Sequence, residues 1–131
     1  MDAADGKGGG LKVLLVEDHS DSARAMARLL TTCGHQVDVA HGVKEGLKMA
    51  GGHGFDLLIS DLALPDGSGL DLMRQLRGTR STLKGIALRG FTQSTDVEES
   101  ISAGFQAHVA KPVDFHKLRQ VIEQVIAAPG R

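Results

Sequence analysis

Charged residues follow four of the apolar, strand-length runs in this 131-residue chain. Glu17 and Asp18 come after LKVLLV, and Asp61 ends the run in LLISDLALPDGSG, just before a segment with turn-forming proline and glycine. Arg89 follows GIAL, and Lys111 follows QAHVA. If these runs are parallel strands, their carboxyl ends lie at one edge of a sheet, where such folds bind ligands. Carboxylates and cations from distant parts of the chain are then expected to meet there.

Carboxylates gathered at one sheet edge repel one another, and a divalent cation relieves that repulsion. At a separation of about 4 to 5 Å and an effective dielectric constant near 20, two carboxylates repel by about 3 to 4 kcal/mol. Glu17, Asp18 and Asp61 offer only oxygen ligands, and the six histidines show no metal-ligand spacing. Such ligands favour Mg²⁺ over Zn²⁺. Lys111 is expected to balance the charge from the far side of the site.

Five apolar runs alternate with segments of helical spacing along the chain. The last segment is the clearest, because Leu118, Val121, Ile122, Val125 and Ile126 follow the i, i+3, i+4, i+7, i+8 pattern of a helix with one buried face. Strands separated by helices have room for parallel pairing through right-handed crossovers. The first and third runs are apolar on consecutive residues and predict central strands, whereas QVDVA predicts an edge strand. We predict an α/β sandwich of three layers with a parallel five-stranded sheet; if its strand order is 2-1-3-4-5, the first and third strands are neighbours at the point where the order reverses.

Length and composition predict one globular domain. We interpret residues 1–10 as a flexible lead-in, residues 11–127 as the domain and residues 128–131 as a frayed tail. A formal net charge of -1 argues against direct binding of nucleic acid. The single cysteine, the polar first residues and the lack of a run of about 18 apolar residues predict a cytoplasmic chain that makes no membrane contact.

The stretches LLVEDHSD, LLISDLALPDGSGLDLM, IALRGF and HVAKPV, in this order, resemble the response-regulator receiver domain of two-component signalling. The resemblance extends from Leu11 to about Ile126 and implies the flavodoxin-like (βα)5 fold. It also implies that Asp61 accepts a phosphoryl group from a histidine kinase or a histidine phosphotransfer domain. The chain is then a phosphoacceptor signalling domain with self-catalysed transfer, and not an enzyme acting on a separate substrate.

The resemblance assigns the contacts of the metal and of the phosphoryl group. Glu17 and Asp18 match the acidic pair that binds Mg²⁺ or Mn²⁺, and Asp61 and the backbone carbonyl of Ala63 match the remaining protein ligands. Lys111 matches the lysine that contacts the phosphoryl group, and the peptide bond that follows it is typically cis in the family. The resemblance therefore predicts a Mg²⁺-dependent reaction.

The family's output surface consists of the fourth helix, the fifth strand and the fifth helix. This places Ile101 and His108 at the surface predicted to contact a downstream protein partner, and a homodimer is left open. His108 stands where tyrosine or phenylalanine is usual, and AHVAKPVDFHKL resembles receivers fused to hybrid histidine kinases. Two contexts stay open, a stand-alone regulator and a piece of a hybrid kinase.

Arg89 departs from the family pattern, because this position usually holds threonine or serine, whose hydroxyl bonds a phosphoryl oxygen. Turned inward, the guanidinium could hold the Asp61 carboxylate or the phosphoryl group; turned outward, it would stay hydrated and take no part. Arg89 therefore supports an alternative function, a degenerate receiver used as an unphosphorylated protein-docking module.

Two other classes of protein fit the residues poorly. Haloacid-dehalogenase-like phosphatases carry a second aspartate two residues after the nucleophile, and Ala63 occupies that position here. A flavodoxin-like electron carrier needs a phosphate loop rich in serine and threonine after the first strand. Glu17, Asp18 and Asp21 lie there instead and would repel a phosphate.

Overall fold

The computed structural model describes residues 10–52, 54–90 and 97–127, and shows a parallel five-stranded sheet between two layers of helices. Most of the predicted lead-in, residues 1–9, and the predicted tail, residues 128–131, lie outside the described residues. No described helix is long and apolar enough to cross a bilayer. In chain order the elements are β1 (Lys12–Val16), α1 (Ser20–Thr32), β2 (Gln36–Ala40), α2 (Val43–Gly52), β3 (Leu57–Asp61), α3 (Gly69–Thr79), β4 (Lys84–Arg89), α4 (Val97–Ala103), β5 (Ala107–Ala110) and α5 (Phe115–Ala127).

The strands pair in the order β2-β1-β3-β4-β5, and every pair is parallel. This confirms the predicted fold class and strand order. Every residue of β3 is buried, whereas β2 alternates between exposed and half-buried residues before Ala40, as an edge strand does. The carboxyl ends of β1 and β3 are therefore neighbours, at the point where the strand order reverses.

Each face of the sheet has its own apolar core. On one face β1, β3 and β4 pack against α1 and α5, and on the other they pack against α2, α3 and α4. Because successive side chains of a strand point to opposite faces, the continuous apolar runs of the sequence supply both cores. The two layers of helices hold the strands, and with them the residues that follow each strand.

A short antiparallel hairpin follows β3 and leads into α3. Ala63–Leu64 pairs with Gly67–Ser68, and the Ser68 hydroxyl then accepts a hydrogen bond of 3.0 Å from the Leu70 N–H at the start of α3. Gly69 lies against the backbone of Asp61, where a Cβ atom would collide with the Asp61 carbonyl oxygen. The hairpin is thus packed directly beside the end of β3.

Candidate functional site

Asp61 ends β3 with its side chain almost fully buried. Its two carboxylate oxygens have different partners: Oδ1 accepts a hydrogen bond of 3.1 Å from the Ala63 N–H, and Oδ2 lies 2.6 Å from Lys111 Nζ. A buried carboxylate needs such partners because it has lost its hydration. The hairpin and the loop after β5 therefore fix the orientation of this side chain.

Glu17 follows β1 and is 1% exposed, almost as deeply buried as the core residues of β1, which are 0% exposed. Its Oε2 accepts a hydrogen bond of 2.9 Å from the His19 N–H. Its Oε1 lies 2.9 Å from Lys111 Nζ, an ion-pair contact whose alignment does not meet that of a hydrogen bond. The structure thus brings Glu17 and Asp61, 44 positions apart in the sequence, to the same ammonium group.

Lys111 lies between these two carboxylates, and the peptide bond from Lys111 to Pro112 is cis. Burial on its own lowers the pKa of this lysine, but the contacts with Asp61 and Glu17 outweigh it, so that the pKa lies above its ordinary value of 10.5. The lysine is accordingly charged at neutral pH. Two buried carboxylates share one positive charge, which leaves the cluster with a negative charge still to balance.

The donor atoms at this edge suit a hard divalent cation. Glu17, Asp18 and Asp61 carry carboxylate oxygens, and Ala63, two residues after Asp61, carries a backbone carbonyl oxygen. The Asp18 side chain is exposed. No three histidine, cysteine or acidic side chains within the described ranges are close enough together to hold a metal ion. In this arrangement Lys111 provides the charge that a cation would provide. Mg²⁺ fits the chemistry of the donors, and its binding stays a prediction.

Arg89 and His108 lie on one face of β4 and β5. His108 pairs in register with Ala87, which precedes Arg89 by two residues and therefore shares its face. Arg89 Nε and His108 Nε2 are both buried and have no hydrogen-bond partner within the described part of the chain. The pKa of His108 lies below its ordinary value because of burial and, second, because of the charge of Arg89. The arginine thus acts electrostatically on His108, and an inward pose toward Asp61 stays a prediction.

The two residues expected at the partner surface differ in their accessibility. Ile101 on α4 is 61% exposed, and its place at a partner surface stays a prediction. His108 is half-buried, and its Nε2 atom is not accessible to solvent. A partner could contact Ile101 directly, but it could not reach the Nε2 atom of His108 in this arrangement.

Two contacts near the site could not be predicted from the sequence. His19 begins α1 as its N-cap, and its Nδ1 accepts a hydrogen bond of 3.4 Å from the Ser22 N–H. Asp66, in the turn of the hairpin, accepts hydrogen bonds from the first residues of α2. The proline and glycine beside Asp66 signalled a turn, but nothing in the sequence indicated which helix the turn contacts.

Comparison with known proteins gives consistent matches. Residues 13–123 match the response regulator receiver domain. The acid tolerance regulatory protein ActR of Rhizobium meliloti (strain 1021) is 31% identical over 118 residues, which span 90% of this chain and 59% of ActR. Hybrid signal transduction histidine kinase G of Dictyostelium discoideum is 30% identical over 119 residues, 87% of this chain but 4% of that protein.

Solved structures match the whole fold. The crystal structure of a response regulator receiver domain protein (CheY-like) from Methanospirillum hungatei JF-1 is similar with a TM-score of 0.82 and 27% sequence identity. The match covers 87% of this chain and 91% of that one. By contrast, the chain spans less than two thirds of the curated relatives described above.

Proposed function

The chain belongs to the response regulator receiver domain family of two-component signalling, and from this premise we propose that Asp61 accepts a phosphoryl group from a phosphohistidine donor. The donor is a histidine kinase or a histidine phosphotransfer domain. The observation that carries the proposal is the setting of Asp61: a carboxylate buried at the end of β3, oriented by the Ala63 N–H and by Lys111. A carboxylate with a fixed direction is prepared to attack in line.

In the proposed transfer, an Asp61 oxygen forms a bond to phosphorus while the bond from phosphorus to the imidazole nitrogen breaks. The electron pair of that bond stays on the imidazole. Lys111 Nζ lies 2.6 Å from Asp61 Oδ2. Its ammonium group is therefore close enough to contact a phosphoryl oxygen once phosphorus is bonded to Asp61. Positioning and electrostatic stabilisation of this kind provide most of the catalysis in phosphoryl transfer.

Mg²⁺, or Mn²⁺ in its place, would be held by Glu17, Asp18, Asp61 and the Ala63 carbonyl, and when bound it would neutralise charge on the phosphoryl oxygens. This role is tested by incubation with phosphoramidate, a small donor that also carries phosphorus on nitrogen, with and without EDTA. We expect modification in Mg²⁺ and a loss of at least about a hundredfold in rate with EDTA. An equal rate in EDTA would show that the acidic cluster does not work through a metal.

After transfer, the acyl phosphate shifts a conformational equilibrium that a downstream protein reads. The exposed Ile101 on α4 supports this face as the contact surface. The match to a hybrid histidine kinase fits placement of such a domain in a larger kinase, and the match to ActR fits a separate regulator. Both contexts use the same acceptor chemistry. We propose that the domain acts in the cytoplasm.

The alternative of an unphosphorylated docking module rests on Arg89. The arginine replaces a hydroxyl residue, and its Nε is buried beside β5 rather than joined to Asp61. Against this alternative stands the preserved cluster of Glu17, Asp61 and Lys111, since a docking module has no need for two buried carboxylates on one lysine.

A further inference from the structure

The N-terminus of α2 is capped by a residue from a distant segment. The Asp66 carboxylate accepts hydrogen bonds from the Val43 N–H, at 2.7 Å, and from the Lys44 N–H, at 3.0 Å. The first N–H groups of a helix have no partner within the helix, and negative charge is favourable at this end. The pKa of Asp66 is below its ordinary value of 3.8 because the Lys44 and Val43 amides donate to it. At neutral pH Asp66 is therefore a carboxylate fixed to α2.

The packing around this cap is close on both sides. A Cβ atom at Gly42 would lie 2.7 Å from Asp66 Oδ1, and one at Gly67 would lie 3.2 Å from a methyl group of Val43. Gly67 also has a φ angle of +156°, which L side chains rarely adopt. The loop of the hairpin, Pro65 and Asp66, thus packs directly against the first residues of α2.

The hairpin connects this cap to the phosphoacceptor. Its first strand begins with Ala63, whose N–H bonds Asp61 Oδ1, and its turn contains Asp66. We propose that Asp66 is a positioning residue: by fixing the hairpin to α2, it holds the Ala63 backbone against the Asp61 carboxylate. This inference rests on the proposed function for its effect on phosphoryl transfer, but the positioning itself can be measured without any transfer.

Other contacts of the hairpin limit the size of the effect. The Leu64 side chain is 9% exposed and packs in the core, and the Gly69 N–H bonds the Leu62 carbonyl at 3.0 Å. These contacts keep the hairpin on the core when Asp66 is lost, but neither of them is made by Ala63 or by the turn. Loss of Asp66 should therefore loosen the Ala63 hydrogen bond without unfolding the domain.

Glu45 offers a matched control at the same end of α2. Its Oε1 accepts a hydrogen bond of 2.8 Å from the His41 N–H, so it also places a carboxylate at this helix terminus. The control differs in one respect, since Glu45 belongs to α2 and makes no link to the hairpin. If Asp66 served only to stabilise α2, Asp66→Ala and Glu45→Ala would have the same consequences.

The first measurement is hydrogen exchange of the Ala63 amide in the full chain, without metal or donor. Asp66→Ala should accelerate this exchange by about tenfold, and Glu45→Ala should leave it unchanged. Gly42→Ala displaces the carboxylate from the other side and should reproduce the effect of Asp66→Ala. Asp66→Asn keeps one acceptor oxygen and should restore part of the protection. Equal exchange in Asp66→Ala and the wild type would overturn the inference.

The second measurement is the rate of modification by phosphoramidate in saturating Mg²⁺. Mutation of residues that hold a ligating side chain in place typically changes affinity or activity by about 10-fold to 100-fold. Asp66→Ala should therefore lower the rate of modification by about tenfold. If the wild type is modified and Asp66→Ala matches it, the link to Asp61 is refuted. If the wild type is not modified at all, the proposed function fails, and Ala63 exchange alone decides whether Asp66 positions the hairpin.

Discussion

Replacing Lys111 by methionine removes the ammonium that separates two buried carboxylates. Its Nζ lies 2.9 Å from Glu17 Oε1 and 2.6 Å from Asp61 Oδ2, so these two oxygens are at most about 5.5 Å apart, the limit reached with the two contacts in line. At an effective dielectric constant near 20, two unit charges at that distance repel by about 3 kcal/mol. Methionine keeps much of the apolar stem, so the main change is the loss of charge.

We expect Lys111→Met to lower the free energy of unfolding by about 3 to 5 kcal/mol, the usual cost of leaving a buried charge without its partner. Glu17→Gln should destabilise the wild type, because the lysine loses one ion pair. In the Lys111→Met background the same change should raise the free energy of unfolding, because the repulsion with Asp61 disappears. The repulsion with Asp61 is lost in both backgrounds, so the coupling of the two substitutions measures the attraction between Lys111 and Glu17. Because the two effects have opposite signs, this coupling should be at least about 3 kcal/mol.

Urea unfolding of the wild type, both single variants and the double variant measures this coupling. Lys117→Met is the control, since Lys117 is exposed on α5 and its replacement should change stability by less than about 0.5 kcal/mol. Single effects that add to within about 0.5 kcal/mol would refute the electrostatic reasoning. In that case Lys111 would contribute through packing alone.

Two further predictions concern the backbone beside Asp61 and the pair on β4 and β5. Gly69→Ala should lower the free energy of unfolding in urea by about 1 to 3 kcal/mol, because the new methyl group meets the Asp61 backbone. Gly78→Ala in the same helix has open space and should be neutral or stabilising. Equal effects of the two substitutions would contradict this packing. The folded-state pKa of His108 is below 6.5, so its contribution to stability is full above that pH and is lost as pH falls through the lowered pKa. Arg89→Thr removes a nearby positive charge and should reduce this acid loss in thermal unfolding; an unchanged pH dependence would show that the guanidinium does not reach His108.

The fold could be predicted because the central strands are uninterrupted apolar runs and the segments between strands have helical spacing. Asp61 and Glu17 could be placed at one edge because parallel strands have their carboxyl ends at the same edge, and the strand order makes β1 and β3 neighbours. The two-residue strands of the hairpin could not be predicted, because Ala63–Leu64 is too short to show alternation. The Asp66 cap could not be predicted either, because it joins segments more than 20 positions apart. Its donors are backbone N–H groups, which every residue except proline has, so no residue type indicates the contact.

The Arg89 side chain shows a different limit. Its long stem allows several directions from the same position on β4, so the sequence left inward and outward poses open. Its Nε is buried and its charge lowers the pKa of His108 on the neighbouring strand β5. The alternation of apolar and polar residues along β4 does not predict the direction of one side chain. The orientation after phosphorylation is a separate matter, because the added charge would compete for the guanidinium.

The most direct test of the central claim is the intact mass of the protein after incubation with phosphoramidate and Mg²⁺. We predict that the wild type gains the mass of one phosphoryl group, and that Asp61→Asn, folded by circular dichroism, gains none. Asp71→Asn should gain it as the wild type does, because Asp71 is exposed on α3 and pairs with Arg74. No gain by the wild type, or an undiminished gain by folded Asp61→Asn, would contradict the assignment of Asp61 as the phosphoacceptor.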